Sequence, residues 1–295
     1  MKAVDDVNLQ VRRNEVMGLA GESACGKSTL AYSILRLLPG NGEIIKGEIL
    51  LNGKDILKMD EDTLRRIRWT EISIVFQGAM NALNPIMPVS QQIIEAILAH
   101  EKITIGQARA RVLHLFEQVG IEKQFINSYP HELSGGMKQR IMIAMALACN
   151  PKFLILDEPS TALDAITQKK ILDLIKDIQE QLNLSILLIT HDLSVIAQIS
   201  DRCAIMYAGK IVEIADILSI FHKPLHPYTQ ALTNAFPDVR SVKRIQGLLG
   251  DPPNLINPPH GCRFHPRCPV AMNICRKVEP ELEEKNGHLV ACHMV

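Results

Sequence analysis

One eight-residue run constrains this chain more than any other: Gly21-Glu22-Ser23-Ala24-Cys25-Gly26-Lys27-Ser28. It fits the pattern G-x-x-x-x-G-K-[ST], in which successive backbone N–H groups curl around a phosphate. Gly21 and Gly26 supply the backbone freedom that the curl needs. Lys27 brings a positive charge to the β- and γ-phosphates, and the Ser28 hydroxyl is a ligand for Mg²⁺. Glu22, Ser23, Ala24 and Cys25 complete the loop, and the candidate binding stretch runs on to Thr29. The flanks agree. Residues 15–20 read as a strand and 28–38 as a helix, whose N-terminal partial charge would face the phosphates. A strand–loop–helix unit of this kind predicts an α/β fold.

Asp157 and Glu158 close a second apolar strand, residues 153–156. Carboxylates just past a strand end fall in the crevice where open α/β sheets bind ligands. Asp157 is placed to hold Mg²⁺, directly or through water, and Glu158 to polarise an attacking water. A third element is Leu133-Ser134-Gly135-Gly136-Met137-Lys138-Gln139-Arg140. Ser134 is a good N-cap, the glycines allow close backbone approach, and residues 137–148 read as a helix. Such a helix start is a second anion site.

With these elements in this order, the chain resembles the ATP-binding subunits of ABC transporters, whose signature motif Leu133-Ser134-Gly135-Gly136 matches. The remaining family motifs fall in sequence. Gln77, after a strand at 72–76, matches the glutamine that senses Mg²⁺ and the attacking water. Ser160-Thr161-Ala162-Leu163-Asp164 matches the D-loop. His191, after a strand at 185–190, matches the switch histidine that contacts the γ-phosphate. The resemblance implies that Ser134, Gly135, Gly136 and Asp164 contact nucleotide, and that Ser28, Gln77 and Asp157 hold Mg²⁺. It implies that Glu158, His191 and Gln77 act in hydrolysis. The chain departs from the family in three places. Ala24 stands where Gly is usual, which stiffens the phosphate loop. Asn14 stands where a turn Gly is usual, and Asn tolerates the left-handed conformation. No aromatic precedes Tyr32, whereas family members begin with a strand bearing an aromatic residue that stacks on adenine. Such stacking is worth about 1–3 kcal/mol, so the expectation is a weaker hold on ATP or a chain that starts late.

Composition sets the outer bounds. The 295 residues suffice for one large domain plus an appendage. Lys+Arg and Asp+Glu both number 32, so no basic excess points to a nucleic-acid partner. No apolar run reaches the length of a transmembrane helix, and the start carries no signal-peptide apolar region, so membrane association is expected through a partner. Asn52-Gly53 marks a hairpin turn, residues 61–69 read as a short helix, and 206–212 as a late hairpin. From about 78 to 150 the pattern is mostly helical, with Ile93, Ile94, Ile97 and Leu98 at helical spacing. Residues 165–182 form an amphipathic helix with Ile171, Leu174, Ile175, Ile178 and Leu182 on one face.

The composition changes near residue 237. Seven of the 16 prolines fall between 252 and 280, and four of the 7 cysteines between 262 and 292. Such a tail is not expected to form long helices or a central sheet, and it is too short for a core of its own. Cys262, Cys268, Cys275 and Cys292 are separated by five, six and sixteen residues. That spacing lacks the C-x₂₋₄-C pairs of structural zinc sites and suits a four-cysteine iron–sulfur cluster. Free buried thiols, or a zinc site using His260, His265, His288 or His293, are the alternatives. Cys25, Cys149 and Cys203 read as small apolar fillers.

The tail narrows the resemblance. His226-Pro227-Tyr228-Thr229, Gly250-Asp251-Pro252-Pro253, Gly261-Cys262-Arg263-Phe264-His265-Pro266-Arg267-Cys268-Pro269 and Asn81-Ala82-Leu83-Asn84-Pro85 look like the oligopeptide/dipeptide importer ATPases. Some members of that family carry a [4Fe–4S] cluster on this cysteine set. The expected architecture is a P-loop NTPase (RecA-like) α/β core at 1–236, with an inserted helical subdomain at about 78–150. A loop-rich cysteine module follows at 237–295. The resemblance implies a subunit at the cytoplasmic face of the membrane that hydrolyses MgATP to drive import of di- or oligopeptides. Its partners would be a second ATP-binding subunit (a relative or a second copy), two permease subunits and, indirectly, a peptide-binding protein. The competing readings are an importer ATPase for nickel chelates or oligosaccharides, an ABC ATPase acting on nucleic acid or ribosomes, and an iron–sulfur sensor regulated by ATP.

Overall fold

The computed structural model describes residues 1–78, 81–235, 248 and 250–295. The composition boundary near 237 falls outside the described residues. Eight strands form the main sheet, lying side by side in the order β4 (Ile72–Val75), β5 (Phe153–Asp157), β6 (Ser185–Thr190), β1 (Val16–Ala20), β7 (Arg202–Tyr207), β8 (Lys210–Asp216), β10 (His288–Val290), β9 (Glu283–Lys285). Five of them run parallel: β4, β5, β6, β1 and β7. These are near-continuous apolar runs because both faces of the sheet are covered. Along β1, Val16 and Ala20 face one apolar cluster while Met17 and Leu19 face the other, the alternation that a pleat imposes.

The first cluster lies under α3 (Val89–His100), α4 (Ile105–Gln118), α5 (Gly135–Ala146), α6 (Ala165–Leu182) and α7 (Leu193–Ile199). The second lies under α1 (Lys27–Ile34) and the N-terminal segment, while α2 (Glu61–Ile67) precedes β4 and α8 (Ile217–His222) follows β8. The helical stretch expected from 78 to 150 is made by α3, α4 and α5, which pack on one another. Two short 3₁₀ turns separate α4 from α5. Ile93 and Ile97 are buried there, whereas Leu98 is exposed. The Asn52-Gly53 turn joins the two-residue strands β2 (Leu50–Leu51) and β3 (Lys54–Asp55), with positive φ at both turn residues.

Two sequence expectations need correction, and the tail goes beyond what composition indicated by joining the edge of the sheet. The first helix stops at Ile34, not near 38. Arg36 turns left-handed, and the Arg68 guanidinium donates to the carbonyls of Leu35 and Arg36, closing the helix end. On α6 the bounds agree with expectation, but Leu182 is exposed beside Asn183, whose left-handed C-cap ends the apolar stripe one turn early. The tail also joins the sheet. Strand β10 (His288–Val290) pairs antiparallel with β8 (Lys210–Asp216), and β9 (Glu283–Lys285) closes the edge. Hydrogen bonding to an existing edge lets three-residue strands form in a segment that is otherwise loop and 3₁₀ turn.

Candidate functional site

The phosphate loop leaves β1 at its C-terminal end and feeds α1. At Gly26 the backbone has φ of 110°, and a Cβ there would meet the Ala3 carbonyl at 2.2 Å, so only glycine fits. Ala24 is held left-handed at φ of 62°. Lys27 is buried and its Nζ donates to the carbonyls of Gly21 at 2.7 Å and Glu22 at 2.9 Å, so the ammonium already lies inside the loop. Asn14 is left-handed too, as expected of it.

Three further strand ends converge on this loop. Asp157 ends β5 fully buried, and among the described residues neither carboxylate oxygen meets a hydrogen-bond partner. Burial pushes its carboxyl above the ordinary range; the Glu158 charge adds to this, while Ser28 and Lys27 oppose it. A buried carboxylate with no protein partner beside a serine hydroxyl and a lysine costs free energy as it stands. A divalent cation with hard oxygen ligands would satisfy it, so Asp157 and Ser28 fit Mg²⁺.

Glu158 follows β5 with φ of 50°, a strained conformation for this residue. Its Oε2 accepts from Gln77 Nε2 at 3.0 Å and from Thr161 Oγ1 at 2.9 Å, and its Oε1 lies 2.8 Å from His191 Nδ1. Burial works to raise the Glu158 carboxyl. The hydrogen bonds from His191 and Thr161, with the charges of His191 and Lys27, outweigh that and hold it below its ordinary value. The carboxylate is therefore ionised at neutral pH and able to accept a proton. Gln77, after β4, and His191, after β6, are exposed at their tips, so this cluster opens to solvent.

The signature segment behaves as a helix start. Ser134 caps α5 by accepting from the Met137 N–H, and Ser134 and Gly135 are exposed. A Cβ on Gly136 would meet Thr167 at 2.6 Å, which shows how closely α5 approaches α6. Asp164 caps α6 through the amides of Ile166 and Thr167 and the Thr167 hydroxyl. Among the described residues no hydrogen bond joins Ser134, Gly135, Gly136 or Asp164 to the phosphate loop, Asp157, Glu158 or His191. The structure thus brings together Lys27, Ser28, Asp157, Glu158, Gln77 and His191, and leaves the signature apart.

In the tail, Cys262, Cys268, Cys275 and Cys292 line one apolar cavity together with His226 and Phe264. The Cys262 N–H donates to the Cys275 carbonyl at 2.8 Å, pinning two of the four. Burial pushes the Cys262 thiol up to about 11, and Cys275, Cys268 and Cys292 add to it. Among the described residues no three His, Cys, Asp or Glu side chains are gathered tightly enough to hold a single metal ion. His288 is engaged elsewhere, 2.6 Å from the buried Glu213, while His265 and His293 reach the cavity wall. Cys25, Cys149 and Cys203 are buried, as their reading as fillers requires.

Sequence reasoning missed three contacts. Thr161 falls in the D-loop by sequence, and its role as a donor to Glu158 is signalled only by the three-residue spacing past a turn. Tyr228 Oη accepts from the Glu22 N–H at 2.9 Å, and Arg267 grips the Glu22 carboxylate. Both join residues more than 200 positions apart, and no local pattern announces them.

A phosphate loop, a buried metal-seeking carboxylate and an ionised glutamate at adjoining strand ends define a nucleotide-hydrolysing α/β protein. The ABC transporter family matches residues 4–161, and the C-terminal region of the oligopeptide/dipeptide transporter family matches 212–275. The dipeptide transport ATP-binding protein DppD of Caldanaerobacter subterraneus is 43% identical over all of this chain and 91% of its own length. The oligopeptide transport ATP-binding protein OppD of Escherichia coli is 41% identical over 98% of this chain and 87% of its own. The dimeric structure of the bacterial ABC transporter cassette MJ0796 superposes with a TM-score of 0.65 at 31% identity, covering 73% of this chain and 90% of the cassette. A post-hydrolysis state of the same cassette, bound to ADP and Pi, superposes equally well. The chain belongs to the ABC transporter ATPases, in the oligopeptide/dipeptide importer family. No helix among the described residues is long and apolar enough to cross a membrane.

Proposed function

We propose that this chain hydrolyses MgATP at the cytoplasmic face of a membrane to power import of di- and oligopeptides. The work would pass through two permease subunits fed by an extracytoplasmic peptide-binding protein. The supporting observation is the Glu158 cluster beside the orphaned Asp157. Ser28 and Asp157, with Gln77 nearby, would hold Mg²⁺, which when bound offsets phosphate charge. Glu158 accepts the proton of an attacking water, Gln77 and Thr161 keep its carboxylate aimed, and His191 contacts the γ-phosphate. Residues from Gly21 to Thr29 hold the phosphates. The exposed Ser134 and Gly135, with the half-buried Gly136, would complete the site of a second ATP-binding subunit, either a related chain or a second copy, with Asp164 at the seam. Glu158→Gln should keep ATP affinity and lower turnover by at least about a hundredfold. Turnover like the wild type would reject the assignment.

The tail cysteines carry a second reading, a structural [4Fe–4S] cluster on Cys262, Cys268, Cys275 and Cys292. Four thiols spread around one apolar cavity suit a polynuclear cluster better than one ion. Protein purified without oxygen should be brown and hold iron and sulfide in equal amounts. Colourless protein with stoichiometric zinc would rule the cluster out.

A further inference from the structure

The phosphate loop is gripped from outside by the segment that carries the cysteines. Glu22, the second residue of the loop, is fixed at both ends. Its N–H donates to Tyr228 Oη at 2.9 Å, and its carboxylate takes two parallel bonds from Arg267, 2.7 and 2.9 Å long. The Arg267 side chain is only 6% exposed and Glu22 24%, so solvent screens the pair weakly. The same guanidinium reaches Tyr207 Oη at 3.3 Å and lies near that ring, which packs in turn on Tyr228 and Phe264. Arg267 directly precedes Cys268. Arg263, directly after Cys262, reaches the loop at one remove. It donates to the Ala208 carbonyl and to Asp5, and the next residue, Gly209, donates its N–H to the Cys25 carbonyl in the phosphate loop at 2.8 Å. Two of the four cysteines are thus one peptide away from an arginine that braces the loop.

A carboxylate is an odd passenger in a loop that receives a triphosphate. Left unpaired it would repel the ligand and be free to turn away with its backbone. A bidentate guanidinium fixes its plane and cancels its charge. We propose that Arg267 is a positioning residue for nucleotide: through Glu22 it holds the phosphate loop in its binding shape, and the cysteine module thereby sets ATP affinity. By linkage, nucleotide stabilises that module to the same extent. The inference rests on the phosphate loop being the nucleotide site.

The test titrates the full chain with a fluorescent ATP analogue and Mg²⁺, and records the thermal midpoint on the same samples. Arg267→Ala should weaken binding at least about tenfold, equivalent to about 1.4 kcal/mol. Arg267→Lys should fall between, because an ammonium keeps the charge without the two-pronged contact. Adding Glu22→Gln to Arg267→Ala should recover most of the affinity, since no uncompensated carboxylate then remains. Binding by Arg267→Ala within twofold of the wild type overturns the proposal. So does a loss that follows the thermal midpoint and is not recovered by Glu22→Gln, the pattern of a scaffold contact alone. Where Arg267→Ala does not fold, Arg267→Lys against the Glu22→Gln, Arg267→Gln double variant makes the same comparison. Lys27→Ala separates the two levels: unchanged affinity there would fault the phosphate-loop reading and not the pair.

Discussion

At the scale of the single residue, the site is built on strained backbone. Glu158 and Ala24 both sit in the left-handed region, with φ of 50° and 62°, and the strain has a different standing in each. At Glu158 the conformation turns the carboxylate toward Gln77, Thr161 and His191, so relief would cost the cluster. Ala24 is exposed, and its methyl serves no contact that the conformation requires. A left-handed residue with a Cβ carries roughly 1–2 kcal/mol of strain, and glycine gives back about 0.4–1 kcal/mol through the freer unfolded chain. Ala24→Gly is therefore expected to stabilise the protein by about 0.5–1 kcal/mol, read as a rise in the midpoint of urea unfolding, with ATP affinity undiminished. A lower midpoint would show that the alanine is packed and not merely tolerated.

At the scale of the element, legibility depended on how local the deciding interactions are. The bounds of α6 could be read because its N-cap Asp164, its apolar stripe and the left-handed Asn183 all lie within the helix or beside it. The strand ends of the candidate site could be read because an apolar run followed by an acid, a glutamine or a histidine is itself the signal. The end of α1 could not, since Arg68 closes it from 33 residues away. Helix α9 (Pro227–Asn234) shows a property that sequence could not price. Its N-cap is His226, whose Nδ1 accepts the Tyr228 N–H at 3.0 Å, and burial drives its pKa down to about 3. The sign follows directly. The unfolded histidine takes a proton near 6.5 and the folded one does not until about 3, so stability is present above 6.5 and drains away as pH falls between those values. Between pH 7 and 5 that loss is about 2 kcal/mol. His226→Asn keeps an N-cap acceptor without the titration. Its unfolding free energy should fall by about 2 kcal/mol less than that of the wild type over the same interval, measured by urea unfolding at each pH. Parallel pH profiles would mean that the ring is not neutral when folded.

At the scale of the whole molecule, one buried acid stands at the join between the tail and the cassette, alongside the β8–β10 pairing and the arginine contacts. Glu213, on β8, is fully buried. Its carboxylate accepts from the amides of Leu225 and His226 at 2.9 and 3.0 Å and from His288 Nδ1 at 2.6 Å. The side chain thus ties β8, the start of α9 and β10 together, and a carboxylate with three donors is fully satisfied only in this arrangement. Composition flagged the proline- and cysteine-rich tail as separate, since small loop-rich segments have little core of their own. It could not show that the segment completes the sheet, because pairing of β10 with β8 is decided by an edge 75 residues earlier in the chain. If the sheet is one cooperative unit, damage at this edge must be felt at the other. Trp69, the single tryptophan, reports there: its backbone N–H donates to the Ile72 carbonyl at the start of β4, the opposite margin of the sheet. Glu213→Ala strands three donors, one of them a buried histidine, and should cost about 3 kcal/mol. Urea unfolding followed by circular dichroism and by Trp69 fluorescence should show one coincident transition, shifted by the same amount in both signals. A Trp69 transition that stays at its wild-type midpoint while circular dichroism gains an early phase would mean that the tail opens alone, and that the eight-stranded sheet is two units joined at β8.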